Sequence, residues 1–295
     1  MMRSLKVFKV ILFVFFINIH VSAQQESNFT LYNFNMNIIN PAYAGINDIS
    51  KLNLVHRYQY LGIDDSPRTT SLIYSKPVGR NLGIGISMLN DRVFILSQTD
   101  FALDLSYKLQ LNEVTNLYFG MKFGGGFVNI DLTKAHDSNY DPLFSKNQSF
   151  FNPHIGSGIT LQSEKFYVSF SSPNFLRGQR FEKSGNIPLA AIEEIHYYSG
   201  IGYHFFINDN LTFTPNIMTR IVKRAPTSYD IGGYFDIQDK IIAGFNYRLD
   251  ETSSFYGLLK ATEKLSFGFG YDITISELTL VNDNGTLEFM INYIF

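Results

Sequence analysis

The sequence predicts an all-β protein: an antiparallel transmembrane β-barrel of about fourteen strands, with short periplasmic turns and longer extracellular loops. Three observations predict it. Apolar and polar residues alternate with period two through almost the whole chain beyond residue 50, which is the strand signal. One face of each segment is large and apolar, whereas the other is rich in Gly, Ser and charge. That second face suits a lumen and not the inner wall of a sandwich. The connections alternate between tight and long, as a barrel with both termini in the periplasm requires.

Arg3, Lys6 and Lys9 precede a short apolar run over 10–17, and Val21-Ser22-Ala23 has the small residues of a signal-peptidase site. Cleavage is expected before Gln24. The organisation is then a signal peptide at 1–23, an N-terminal periplasmic or lumenal segment at 24–50 and an outer-membrane barrel at 51–295. The run over 10–17 is too short to span a bilayer, and no later stretch is long and apolar enough for a membrane helix. The chain has no Cys, which excludes disulfides, thiol chemistry and a lipid-anchored cysteine after the cleavage site. Net charge is −2 with no basic block, so nucleic acid is not an expected partner. There are 28 Phe and 18 Tyr but no Trp, and Phe and Tyr can build the interfacial girdles of a barrel.

The strands fall near 51–60, 68–76, 81–90, 99–110, 115–128, 152–162, 165–172, 194–207, 210–222, 227–237, 240–249, 252–261, 263–272 and 285–295. The clearest is Leu265-Ser-Phe-Gly-Phe-Gly-Tyr271, with Phe267, Phe269 and Tyr271 on one face and Ser266, Gly268 and Gly270 on the other. The second, fourth and later even-numbered connections are tight, as at Lys76–Arg80 and Asn208-Asp209. The long ones, 129–151, 173–193 and 273–284, are all odd-numbered and are expected to face outside. The alternate apolar residues ending in Tyr293-Ile-Phe295 resemble the terminal signal read by barrel-insertion machinery.

Several motifs together identify a family. Gln24-Gln-Glu-Ser-Asn-Phe-Thr-Leu-Tyr-Asn-Phe-Asn35 precedes Asn40-Pro-Ala-Tyr-Ala-Gly45. Arg57-Tyr-Gln-Tyr-Leu-Gly62 and Ser66-Pro-Arg-Thr69 follow. Tyr271-Asp-Ile-Thr-Ile-Ser-Glu-Leu278 and Gly285-Thr-Leu-Glu288 lie near the end. The chain resembles the PorP/SprF family of type IX secretion and gliding-motility proteins over essentially its whole mature length. The resemblance implies a place in the cell outer membrane, in contact with its lipid. It also implies support for secretion or surface attachment of exported proteins such as adhesins, and a periplasmic secretion-machine component as partner. The alternative is a passive outer-membrane porin or a small hydrophobic-solute channel. The long loops have only scattered charge, which weakens the porin reading.

Asn40, Pro41, Tyr43 and Gly45 are the candidate site residues, as a lumenal plug or a partner-binding segment. Asn40-Pro41 enforces a turn or extended geometry, and Gly45 offers a positive φ before the first strand. The same residues also fit a purely structural lead-in turn. The inward glycines Gly83, Gly85, Gly156, Gly158, Gly200, Gly202, Gly268 and Gly270 would leave room for such a segment. Asp104, Lys108, Lys122, Arg220, Asp230, Asp236, Arg248, Asp272 and Glu288 face inward with mixed sign and are expected to brace a filled lumen.

No catalytic residue, metal site or cofactor is expected. Asp137-Ser-Asn-Tyr-Asp141 resembles the start of a calcium loop, but Pro142 and Gln148 stand where Gly and Glu are needed. His56, His136, His154, His196 and His204 sit in no recognised catalytic motif.

Overall fold

A computed structural model describes residues 29–132, 147–178, 194–223, 225–275 and 283–295. The expected signal peptide and the Asp137–Asp141 stretch lie outside these residues. Fifteen strand segments follow in order: β1 (Lys51–Tyr58), β2 (Arg68–Val78), β3 (Leu82–Val93), β4 (Leu96–Gln110), β5 (Thr115–Ile130), β6 (Gln148–Ser163), β7 (Phe166–Ser172), β8 (His196–Tyr203), β9 (Phe205–Asn208), β10 (Leu211–Val222), β11 (Ser228–Ile237), β12 (Ile241–Arg248), β13 (Thr252–Lys260), β14 (Leu265–Thr274) and β15 (Thr286–Ile294). Both β8 and β9 pair with β10, so they form one wall strand interrupted at His204. The wall therefore has fourteen antiparallel strands. The last closes on the first, from Lys51 opposite Ile294 to Tyr58 opposite Leu287. Closure leaves the sheet no outer edge, which is what a membrane demands of a β-protein.

The faces divide as the alternation requires. Phe101, Leu103, Leu105, Tyr107 and Leu109 of β4 point outward and are exposed, while Asp104 and Ser106 between them are buried. The same split places Phe267 and Phe269 outside and Ser266 inside. A continuous apolar belt with polar residues behind it is the lipid face of a barrel.

At one end of the barrel the strands join through two to four residues, at 79–81, 111–114, 164–165, 209–210, 238–240 and 261–264. The opposite end carries all the longer connections, together with short ones at 94–95 and 249–251. We call these the turn end and the loop end; the turn end is periplasmic and the loop end faces outside. Two strand pairs extend further toward the loop end than the sequence indicates. β5 runs to Ile130 and β6 starts at Gln148, so the connection expected over 129–151 is 131–147. β3 and β4 join through only Phe94-Ile95, where the alternation stops at residue 90 and resumes at 99. The cause is physical. Beyond the apolar belt neither face meets lipid, so Asn90, Asp91, Arg92, Ser97 and Gln98 can all be polar and the period no longer marks the strand.

Candidate functional site: the lumenal segment

Before β1 the chain forms four single 3-10 turns, Tyr32–Phe34, Met36–Ile38, Pro41–Tyr43 and Ile46–Asp48. Their partners come from strands all around the wall, so the segment lies inside the barrel. Leu31, Asn37, Asn40, Ala42 and Ala44 are almost wholly buried. The chain enters β1 at Lys51, on the turn end.

The far end of the segment is at the loop end, held by a buried charge cluster. Arg57 is the penultimate residue of β1, and its inward parity brings it beside Asp272 of β14 and Glu288 of β15. Arg57 Nη2 lies 2.6 Å from Asp272 Oδ2, and Nη1 lies 3.0 Å from Glu288 Oε2. All three side chains are nearly inaccessible to solvent. The carboxylates also hold the segment. The Thr30 and Leu31 backbone N–H groups donate to the two oxygens of Glu288, at 2.8 and 3.0 Å. Thr30 Oγ1 donates to Asp272 Oδ1 at 2.7 Å and accepts from Arg57 Nη1 at 2.7 Å. Buried charges of this kind persist only when paired and hydrogen-bonded.

Further along, Tyr32 Oη donates to Asn216 of β10 (3.0 Å), and Asn53 of β1 donates to the Phe34 carbonyl (3.0 Å). Lys122 of β5 donates to the Asn37 carbonyl (3.2 Å) and pairs with Asp104 of β4 (2.8 Å). The inward charges expected to brace the lumen thus include Asp104, Lys122, Asp272 and Glu288, which clamp the segment directly or through one neighbour. Arg248 and Asp230 form a bidentate pair on the wall at 2.6 and 2.8 Å. Lys108 binds Asp48 at the turn end.

The four candidate residues gather at the turn end. Asn40 caps the turn Pro41–Tyr43: its Oδ1 accepts from Ala42 N at 2.9 Å, and Pro41 occupies the first position, where no N–H is required. Asn40 Nδ2 donates to Thr160 Oγ1 of β6 (3.0 Å) and Ser169 Oγ of β7 (2.9 Å). Tyr43 is buried in the apolar cluster with Met36, Ile46 and Tyr118. Burial pushes its phenol well above the ordinary range, so the ring stays neutral. Gly45 adopts φ 65°, and a Cβ there would strike the Lys76 and Pro77 backbone of β2.

Wall glycines admit this turn. A Cβ at Gly120 of β5 would overlap the Pro41 and Ala42 backbone; one at Gly83 of β3 would meet the Ala44 carbonyl, and one at Gly158 of β6 the Asn40 side chain. Of the eight glycines singled out above, Gly83, Gly85, Gly158, Gly268 and Gly270 face the segment, whereas Gly156, Gly200 and Gly202 meet other parts of the wall. Gly120 and Arg57 are the contacts that sequence reasoning missed. Gly120 follows Leu117, Tyr118 and Phe119 on an ordinary strand pattern. Arg57 stood only within a family motif, although its position two residues beyond inward Val55 marks it as lumenal.

Below the turn a vestibule of about 760 Å³ opens at the turn end, lined by Tyr43, Lys51, Tyr167, His204, Lys240 and other residues. Among the described residues no group of three or more His, Asp or Glu is placed to hold a metal ion. His56 and His204 each share a hydrogen bond with a threonine, Thr70 (2.7 Å) and Thr214 (2.9 Å). His136 lies outside the described residues.

A family model described as "Type IX secretion system membrane protein PorP/SprF" matches residues 21–293. A comparison with curated proteins gives no match. Among solved structures, the chain is similar to a Pseudomonas aeruginosa FadL homologue, with 11% identity, TM-score 0.50 and coverage of 86% of this chain and 92% of that one. It is similar to the CymD monoaromatic hydrocarbon channel, with 12% identity, TM-score 0.50 and coverage of 86% and 90%. It is also similar to the Ralstonia pickettii toluene transporter TbuX, with 11% identity, TM-score 0.51 and coverage of 86% and 91%. At such identities the likeness is one of barrel fold alone.

Proposed function

The chain belongs to the PorP/SprF family of type IX secretion system membrane proteins, and from that premise we propose that it acts as a plugged outer-membrane platform for exported proteins. In this reading residues 1–23 are removed on export. The segment bearing Asn40, Pro41, Tyr43 and Gly45 closes the lumen, and the barrel supports secretion or surface attachment of cargo such as adhesins. A periplasmic component of the machine engages the turn end, where the vestibule opens. One observation supports the reading above others: residues 29–46 occupy the lumen and are tied to the wall near both ends. A barrel filled in this way favours docking over diffusion. Family and fold are those of membrane barrels, not of enzymes, and no substrate chemistry is needed for this role.

The test is a gene deletion with complementation, paired with conductance of the purified barrel in planar bilayers. Loss of an exported surface protein from the deletion strain, restored by the wild-type chain, and no steady conductance are expected. Normal surface display in the deletion strain would overturn the secretion role. Porin-level conductance of the intact chain would instead favour the passive channel.

A further inference from the structure

The lumenal segment closes the vestibule from above and leaves it a chamber whose mouth faces the periplasm. Phe34, Met36, Tyr43 and Ile46 of the segment form its ceiling, and the β11–β12 and β13–β14 turns form part of its rim. The chain at the turn end is described throughout: every turn there, the lead-in to β1 and the end of β15 belong to the described residues. Residues 133–146, 179–193, 224 and 276–282 fall instead in connections of the loop end, and residues 1–28 precede Phe29 at that same end. The chamber is thus bounded by the described chain itself.

Lys51 gives the chamber an uncompensated charge. Asn53, Val55 and Arg57 of β1 are buried in the lumen, so the period of two turns Lys51 inward as well. Its register neighbours are Ser75 of β2 and Ile294 of β15, neither of them charged. Lys51 is half-buried, and among the described residues it has no hydrogen-bond or ion-pair partner. The other charges that line the chamber come from the turns of the rim. Lys260 pairs with Asp239, and Lys240 and Glu263 are exposed to water and opposite in sign. One enclosed cation is left without a counter-ion. Much of the inner lining is apolar, with Met36, Ile242, Leu258 and Met290 all buried.

An ammonium partly withdrawn from water without a counter-ion is unfavourable, and a carboxylate beside it relieves that cost through a charge-assisted hydrogen bond. The chamber is also a dead end, because the lumen beyond its ceiling is filled. A solute crossing the wall has no path through it, whereas a ligand held in place needs none. We infer that the vestibule is a socket for a short acidic segment of the periplasmic component, with one Asp or Glu carboxylate on Lys51 Nζ and a large apolar side chain against Met36, Leu258 and Met290. This deepens, and rests on, the docking reading above. The chemistry of the guest follows from the chamber. A volume of about 760 Å³ lies within the range of about 300–1,000 Å³ usual for ligand sites, so it takes a few residues of chain and not a folded domain. Lysine is a compact point charge on a flexible stem and accepts a single carboxylate without a fixed fork geometry. The two methionines adapt to the shape of the apolar side chain.

The experiment places the photocrosslinker p-benzoylphenylalanine at Ala261, on the rim, in the full chain in living cells, with Lys51→Met and Lys51→Arg as paired variants. Lys51 has no partner in the barrel, so neither variant should lower the urea concentration at which the purified protein unfolds. We expect an adduct with a periplasmic protein, mapped to an acidic stretch that carries a large apolar residue. Its yield should fall about tenfold with Lys51→Met and change little with Lys51→Arg. Lys51→Glu should abolish the adduct. Exchanging the mapped acid for Lys in the partner should then restore it in the Lys51→Glu background and weaken it in the wild type. The inference is overturned by no protein adduct, or by an adduct only to this chain, to a second copy or to lipid. It is also overturned by equal yields from Lys51→Met and the wild type, or by a charge exchange that restores nothing. Loss of stability in purified Lys51→Met overturns it too, because Lys51 would then serve the barrel itself. Failure of the underlying docking role reads differently: deleting the gene would then leave surface display intact.

Discussion

At its loop end the lumenal segment is held by charge, and at its turn end it is held by shape. Thr30 and Leu31 meet Arg57, Asp272 and Glu288, a cluster with almost no access to water. Asn40–Ala44 instead meet only neutral groups: they are seated where Gly83, Gly120 and Gly158 lack a side chain, and Asn40 donates to the Thr160 and Ser169 hydroxyls. The two anchors should fail differently. Removing one member of a buried charge cluster leaves its partners uncompensated, which costs more than the pair contributed. A glycine seat fails only when something is added to it, and the cost depends on whether backbone can give way.

The largest effect is therefore expected at Arg57. Arg57→Met should destabilise the folded barrel by about 3–5 kcal/mol, because two buried carboxylates lose their cation. The measurement is urea unfolding in lipid vesicles, followed by heat-modifiability. A triple variant that adds Asp272→Asn and Glu288→Gln should recover much of the loss, since no buried charge then remains. If Arg57→Met unfolds at the wild-type urea concentration, the cluster does not anchor the segment and the contrast between the ends is lost.

This contrast also explains what the sequence discloses. The wall is legible because lipid imposes one rule on every outward residue, and Phe101 to Leu109 or Phe267 to Tyr271 repeat it locally. The candidate residues Asn40, Pro41 and Gly45 are legible as turn formers for the same local reason. The clamp is not: Arg57 lies more than two hundred residues from Asp272 and Glu288 in sequence, and only closure of β1 on β15 brings them together. Gly120 stays silent because a glycine on a strand looks alike whether it faces a void, a side chain or a second backbone. The strand extensions at Asn90–Gln98 are hidden by the loss of the lipid constraint beyond the belt.

A smaller effect is expected from adding one methyl at the turn end. Gly120→Ala directs a Cβ into the Ala42 nitrogen and the Pro41 carbonyl carbon, neither of which is the tip of a flexible side chain. The expected cost is about 1–3 kcal/mol, taken mainly as unseating of the turn and not as loss of the barrel. The chain has no cysteine, so Ala44→Cys gives a clean reporter of seating. Ala44 is fully buried, and its cysteine should resist a maleimide in the parent and react in the Gly120→Ala background. Equal protection in both backgrounds would mean that the turn can shift within the lumen, and that shape does not hold it.

The smallest effect should come from the charge pair at the turn end. Lys108 Nζ lies 2.8 and 2.7 Å from the two Asp48 oxygens, closer than Arg57 lies to Glu288. Distance alone would rank this pair with the buried cluster. Solvent decides otherwise: the Asp48 side chain is 61% exposed, so water screens the attraction and replaces it when it is lost. Lys108→Met should change stability by less than about 1 kcal/mol, and raising salt from about 0.05 to 0.5 M should remove even that difference. The same salt change should leave the cost of Arg57→Met intact, because ions do not reach the buried cluster. Urea unfolding of both variants at the two salt concentrations provides the comparison. A large, salt-resistant loss in Lys108→Met would show that charge holds the turn end as well. Asn40, Pro41 and the glycine seat would then position the segment without fastening it.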